Sequence, residues 1–308
     1  MTESVGPTPV IGDTTEVHVH PPFGLTDVLL FMMAMIWGIN FVVVKFATHI
    51  FDPIAFTGLR VGTTAVFLLS VAFARGNFRL PRRDVIGLLL LGVIGNGLYQ
   101  LCFVNGVART RAGNAALIVG AAPAFIALAA RARGLERIKR TTALGIALSV
   151  IGVGLVIAGS AQSSTRETTL LGSILVFLGV LCWTCFTVLL QPYTKRIEVA
   201  KLSAVTMVGG AIPVLIASTP ALLATSWSQV GYGGWLALLY SSIGSMGVAY
   251  YFWYRGLRVL GPTRTAVYSN LQPIIALLVA WPFLGESPTL FQGVGAATII
   301  AGVFLTRS

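Results

Sequence analysis

Carboxylates are scarce in this chain: of its 308 residues only 10 are Asp or Glu. They lie at or beyond the ends of the apolar runs, from Asp27 and Asp52 to Glu136, Glu198 and Glu286. No Asp, Glu or His stands deep in such a run. This disfavours a proton antiporter with a membrane-embedded carboxylate and an intramembrane hydrolase with a His or Asp dyad, and no enzymatic activity is expected. A G-x-x-x-x-G-K-S/T loop is also missing, which argues against a self-contained ATP-driven pump. Cysteines number three. Cys182 and Cys185 have the C-x-x-C spacing but no second ligand pair, so they are read as small apolar filler. His18 and His20 lack further ligands, and neither a metal nor a cofactor is expected. Residues 1–24 hold no Lys or Arg, so the basic start of a secretory signal is not expected there. Their Gly6, Pro7, Pro9, Pro21 and Pro22 suggest a disordered cytoplasmic tail.

What the chain has in abundance is apolar length. It is 56% hydrophobic and 10% charged, against about 25% charged for an ordinary soluble domain. Crossing roughly 30 Å of hydrocarbon takes ~20 helical residues. Such runs follow one another, without the alternation of a barrel strand. Expected spans are 25–50, 53–73, 85–107, 113–130, 141–160, 170–190, 202–224, 233–255, 263–284 and 289–306. Sixteen Lys and Arg fall in loops on the side of the termini and three, Arg109, Arg111 and Arg166, on the other. Cytoplasmic loops retain basic residues, so both termini are expected in the cytoplasm. The same distribution explains the +11 net charge, and no nucleic-acid partner is needed for it.

An internal repeat is visible at an offset of 150, where residues 88–155 match 238–305 without a gap at fourteen of sixty-eight positions. Pro123 falls on Pro273, Glu136 on Glu286, Gly106 on Gly256, Gly145 on Gly295 and Gly152 on Gly302. Trp37 and Trp183 sit mid-span in the opening helix of each half, at an offset of 146. The expectation is an all-α polytopic membrane protein of ten transmembrane helices in two five-helix repeats, 25–160 and 170–306. Five crossings per half turn the second copy upside down, a plan common among secondary transporters with a site near the midplane.

Polar groups at bilayer depth are costly, so each needs a cavity, a partner or a route to the surface. Trp37, Asn40, Val44 and Lys45 share a broad face of the first helix. They form a cavity wall, or else Lys45 snorkels and Asn40 bonds a neighbouring helix. Arg60 lies about two turns below the outer mouth of its helix and cannot easily be neutralised. It is expected to face the interior and hold backbone carbonyls or a substrate carboxylate. Asn96, Tyr99, Gln100 and Phe103 share a face of the third helix. Tyr250 is the repeat equivalent of Gln100, with Ser245, Tyr251 and Trp253 nearby. Tyr268 and Gln272 stand one turn apart, beside Ser269 and Asn270. Pro123 and Pro273 each free a backbone carbonyl and favour kinked helices around a shared cavity, although Pro is common in membrane helices generally. Glu136 and Glu286 are read as the starting residues of the fifth and tenth helices, complementing their dipoles. Gly145, Ser149, Gly152, Gly295, Ala297, Ala301 and Gly302 permit close helix contact, within the chain or in a homodimer.

Trp37-Gly38-Ile39-Asn40-Phe41, followed by Lys45, resembles the first-helix motif of the EamA-type family of the drug/metabolite transporter superfamily. Leu59-Arg60 resembles its second-helix Arg, and Pro273, Gly285 and Glu286 its ninth helix and the turn after it. The resemblance covers nearly the whole chain beyond the tail. It implies a ten-helix inverted-repeat fold with a central cavity, and export or import of amino acids, nucleobases, sugars or other small metabolites. Two departures affect the symmetry of any gate: Leu135 stands where the second copy has Gly285, and Trp183-Thr184 lacks the Asn of the first helix.

The leading expectation is a secondary transporter in a bacterial inner membrane. It would export an amino acid or related amphipathic metabolite through a wall of Trp37, Asn40, Asn96, Tyr99, Gln100, Trp183, Tyr250, Tyr268 and Gln272. Lys45 and Arg60 serve as cationic gate or carboxylate contacts. Import or exchange of nucleobases, sugars or drugs is the alternative, and a non-transporting membrane partner or sensor is another. Short loops leave the last little to signal with. The expected partners are a small metabolite and the lipid bilayer.

Overall fold

A computed structural model of the protein describes residues 24–76, 79–134, 140–160, 166–287 and 289–307. The tail before Gly24, with its two histidines, and the segment holding Leu135, Glu136, Arg137 and Lys139 lie outside the described residues. The described chain is helical and contains no strand. Its helices are α1 Leu25–Ala47, α2 Pro53–Ala74, α3 Arg82–Gly92, α4 Tyr99–Arg109, α5 Ala112–Gly120, α6 Ala122–Ala132 and α7 Arg140–Ser160. They continue as α8 Arg166–Thr194, α9 Val199–Ala224, α10 Tyr232–Leu239, α11 Ala249–Val259, α12 Pro262–Val267, α13 Leu271–Leu284 and α14 Leu290–Arg307.

Seven helical runs among the described residues are long and apolar enough to cross a membrane: Leu25–Ala47, Pro53–Ala74, Arg82–Arg109, Ala112–Ala132, Leu170–Thr194, Val199–Ala224 and Pro262–Leu284. Two more apolar stretches, Ala143–Gly159 and Leu290–Gly302, are shorter. The run from Tyr232 to Val259 is not among the seven, because Tyr240, Ser241, Ser242, Ser245 and Tyr250 dilute its apolar character. Those same side chains, apart from half-buried Tyr240, are buried inside the molecule. The chain is a multi-pass membrane protein.

Local chemistry sets the helix starts. Asp52 caps α2 by accepting from the Ile54 and Ala55 amides at 2.8 and 3.1 Å, with Pro53 in the first helical position where its missing N–H is harmless. Asp27 sits in the first turn of α1 and accepts from the Gly24 amide at 2.9 Å. Two helices carry π-helical insertions, Val93–Leu98 between α3 and α4 and Tyr240–Val248 between α10 and α11. Two others break just before a proline: at Ala121 ahead of Pro123, and over the 3-10 turn Tyr268–Asn270 ahead of Pro273. In each pair the second feature overlaps or adjoins the first advanced by 150.

Packing follows the small residues. α7 lies along α14. A Cβ on Gly152 would lie 2.6 Å from Ile299 and 3.0 Å from the Gly295 carbonyl oxygen. One on Gly302 would lie 2.5 Å from the Gly145 oxygen and 2.6 Å from Ser149. Adding 150 to Gly145, Ser149 and Gly152 gives Gly295, Ile299 and Gly302, so each side of the contact repeats the other. Gly106 against Val176 and Gly256 against Leu30 form a second such pair, at offsets of 150 and 146. Five of the seven small residues expected to mediate close contact are thus spent between α7 and α14, while Ala297 and Ala301 stay exposed. α2 runs against α9, α1 against α11 and α13, and α8 against α4 and α6.

Ion pairs gather where α1, α3 and α9 begin and α2 and α8 end. Arg196 holds Asp84 through two hydrogen bonds of 2.9 and 3.2 Å. Arg75 and Lys201 lie 3.8 and 3.7 Å from Glu198, and Arg264 lies 3.9 Å from Asp27.

Candidate functional site

A narrow cavity lies between the helices that the sequence marks as polar. α1 contributes Trp37, Asn40 and Phe41; α2, Arg60; α4, Tyr99, Gln100 and Phe103. Val180 and Trp183 come from α8, Ser245 and Tyr250 from the second π-helical helix, Ser269 and Gln272 from the broken helix α12–α13, and Val119 and Ala122 from the other broken helix. About 520 Å³ of non-atom space runs through it, yet the centre of a water molecule has only about 30 Å³ to move in. The site is therefore closed down, with room for a water molecule or two.

Aromatic rings make the walls. Trp37 meets Trp183 and Tyr250 edge-on, centroids 5.7 Å apart in both cases, and Trp183 meets Tyr250 at 5.4 Å and Tyr99 at 5.1 Å. These are the tilted and T-shaped arrangements that ring quadrupoles favour. The Trp37 indole donates to the Ser245 carbonyl oxygen at 2.9 Å, fastening α1 to the π-helical segment opposite. The Ser241 hydroxyl donates to Asn40 Oδ1 at 2.8 Å, and Gln100 Nε2 donates to the Tyr250 hydroxyl at 2.8 Å. That last bond joins two residues 150 apart.

Arg60 is 1% exposed. Its guanidinium donates to Gln100 Oε1 at 3.2 Å and to the Ser241 carbonyl at 3.4 Å, and lies 5.6 Å from the Phe56 ring centre and 6.0 Å from that of Phe103. Its Nε has no acceptor. The ion pairs among the described residues leave it without a carboxylate.

Of the residues singled out from the sequence, Trp37, Asn40, Arg60, Tyr99, Gln100, Trp183, Tyr250 and Gln272 line the cavity. Three do not. Asn96 is fully buried but packs against Gly210 of α9, within reach of the Tyr254 hydroxyl. Tyr268 donates its hydroxyl to Asp27 in a short bond at the start of α1. Lys45 reaches the opposite end of α1, where its ammonium donates to the carbonyls of Val107, Ala108 and Thr110 at 3.2, 3.0 and 2.8 Å.

The same corner corrects the reading of Glu286. It does not start the tenth helix, for α14 begins at Leu290. Gly285, in the left-handed conformation at φ +67°, ends α13 and turns the chain back. Glu286 then accepts from the Ala112 and Gly113 amides at 3.0 and 3.2 Å, capping α5. Arg111 closes the contact with a short bond to the Ser287 carbonyl. Segment 107–113 is thus held by Lys45 from one side and by the 285–287 turn from the other. Ser241, which holds both Asn40 and Arg60, went unnoticed in the sequence; the mid-span pair Ser241-Ser242 was the signal for it.

These features define a helical membrane protein with a closed polar-aromatic cavity at its centre. The EamA-like transporter family model matches it twice, over residues 24–158 and 170–308. The chain belongs to the EamA-like transporter family. The uncharacterized transporter YyaM of Bacillus subtilis is 28% identical over 284 residues, 91% of this chain and 92% of that protein. A probable amino-acid metabolite efflux pump of Salmonella typhimurium is 30% identical over 293 residues, 90% of this chain and 93% of that one. A solved crystal structure shares the fold with a TM-score of 0.66 at 18% identity, over 91% of this chain and 95% of the other.

Proposed function

We propose that the protein is a secondary transporter exporting a small amphipathic metabolite, an amino acid or a close relative, across the inner membrane by alternating access. The observation that carries the reading is the meeting of repeat-equivalent residues at the cavity. Gln100 bonds Tyr250, and Trp37 packs on Trp183. A residue touches its own copy only near a two-fold axis, and reciprocal contacts such as Gly152–Ile299 with Gly302–Ser149 are what such an axis produces. The two family matches and the paired helix breaks support the same plan: ten crossings, in two inverted halves of 25–160 and 170–306. Halves that exchange conformations open the shared cavity to one side and then the other.

Cargo and direction draw support from the name of the Salmonella relative, a probable amino-acid metabolite efflux pump. The surplus of basic residues on one set of loops supports cytoplasmic termini. The proposed contact wall is Trp37, Asn40, Tyr99, Gln100, Trp183, Tyr250 and Gln272, with Arg60 at its edge. The test uses the purified full chain in liposomes preloaded with labelled amino acids and nucleobases, with and without a pH gradient. Selective release of an amino acid is expected. Release of nucleobases alone would overturn the cargo assignment, and release of nothing would overturn the transport reading.

A further inference from the structure

We infer that the central cavity is an organic-anion site: it takes a small monocarboxylate with a flat apolar body, its carboxylate seated on the Arg60 guanidinium. This inference rests on the transport reading only for its statement about cargo; the binding site stands or falls by itself.

Charge is the first argument. Arg60 stays protonated and is 1% exposed, with no carboxylate beside it among the described residues. A cation withdrawn from water without a counter-ion is destabilising, and such a group in a membrane segment marks a ligand path. Spare hydrogen bonds point the same way. Among the fully buried atoms of the lining residues, those left without a partner are Arg60 Nε and Gln272 Nε2, and both are donors. Three other polar groups at the site are bonded to neighbours: the Trp37 indole to Ser245, Asn40 Oδ1 to the Ser241 hydroxyl, Gln100 Nε2 to Tyr250.

The bonds Arg60 does make are exchangeable. At 3.2 and 3.4 Å, to an amide and a backbone oxygen, they lie at the long end of the N–H···O range. A carboxylate would give shorter, charge-assisted bonds in their place. An organic cation would meet Arg60 itself and no acidic side chain among the residues lining the cavity. The apolar part of the ligand follows from the walls, where Trp37, Trp183 and Tyr250 present rings to one space. With about 30 Å³ free for the centre of a water molecule, the walls must part to admit even a phenyl group. Binding is therefore coupled to a change of state.

Three probes with one ring and different heads decide the matter: phenylacetate, phenylacetamide and phenethylamine, each titrated at neutral pH against the purified full chain while its thermal unfolding midpoint is followed. Phenylacetate is expected to raise the midpoint, with an apparent affinity at least about tenfold above the amide, since the carboxylate adds charge-assisted bonds. Phenethylamine is expected to leave the midpoint unmoved. Arg60→Gln should erase the preference and Arg60→Lys keep part of it. Equal shifts with amide or amine, no shift with any probe, or a preference that survives in Arg60→Gln would each overturn the anion site. If Arg60→Gln does not fold, the three probes on the unaltered chain still decide. Exchange of labelled phenylacetate across liposomes separates the two readings. A midpoint shift without exchange removes transport and leaves the site, whereas exchange of phenethylamine without a carboxylate preference removes the site and leaves transport.

Discussion

Lys45 and Arg60 are both cations drawn into the apolar body of the protein, and their surroundings differ in one respect. Lys45 has three protons and three carbonyl oxygens, at the C-terminal end of α4, where the helix dipole also favours positive charge. Glu286 adds attraction from across the same corner. Arg60 has five N–H groups, of which two are engaged by long bonds to neutral oxygens and Nε by none. A cation with every donor satisfied holds structure together. One left short of acceptors at the wall of a cavity is provisioned for something that arrives there.

The largest way to break this contrast is Arg60→Met. Loss of a buried charged contact typically costs about 2–5 kcal/mol, so cargo flux in liposomes should fall by about 30-fold or more. The unfolding midpoint should stay level or rise, because an uncompensated buried charge has been removed. A lower midpoint together with lost flux would make Arg60 a structural residue and dissolve the contrast. Lys45→Met should do the reverse. It leaves three carbonyls without their ammonium, at a cost of about 1–3 kcal/mol, and the midpoint should drop. Segment 107–113 should also loosen. In a chain lacking its native cysteines, an Ala108→Cys probe should react several-fold faster with a water-soluble maleimide in detergent once Lys45 is replaced. An unchanged rate would mean that the Lys45 bonds do not restrain segment 107–113.

Much of the central wall was legible because polar side chains at bilayer depth are rare and each demands a reason. Trp37, Asn40, Arg60, Gln100 and Gln272 stand out on that ground alone, and the repeat by itself lays Tyr250 over Gln100. What misled was the assumption of an unbroken 3.6-residue period. Asn96 was placed on one face with Tyr99 and Gln100, but the π-helical stretch Val93–Leu98 shifts the register and turns it toward α9. Tyr268 and Gln272 were placed on one face too, and the 3-10 turn Tyr268–Asn270 separates them, sending Tyr268 toward Asp27. Glu286 was assigned to the helix that follows it because sequence distance is all a sequence offers. The left-handed turn at Gly285 delivers it to α5 instead.

Glu286→Gln is the next test in size, and it sharpens the account of the corner around segment 107–113. The amide keeps one oxygen for the α5 amides but loses the charge that complements the dipole, a change of about 1 kcal/mol in stability. The midpoint should fall by less than in Lys45→Met. The double variant should fall by less than the sum, since both groups act on segment 107–113 and on each other. Strict additivity would show two independent fastenings.

Tyr268→Phe should have the smallest effect, and its smallness is what matters. The hydroxyl bonds Asp27 at the start of α1, and Tyr268 is not among the residues lining the cavity. Removing it leaves Asp27 with the Gly24 amide and nearby Arg264, both unchanged. Cargo affinity should stay within about twofold, and any loss of stability should be close to the 1 kcal/mol of a single hydrogen bond. Gln272→Leu, one turn further along the helix, should weaken cargo binding several-fold, because Gln272 lines the cavity and its Nε2 has no partner. The two substitutions, four positions apart, test whether the 3-10 turn divides wall from exterior. If Tyr268→Phe weakened binding as much as Gln272→Leu, the cavity in its open state would extend past that turn to Asp27, and a carboxylate would then stand at that end of the cavity.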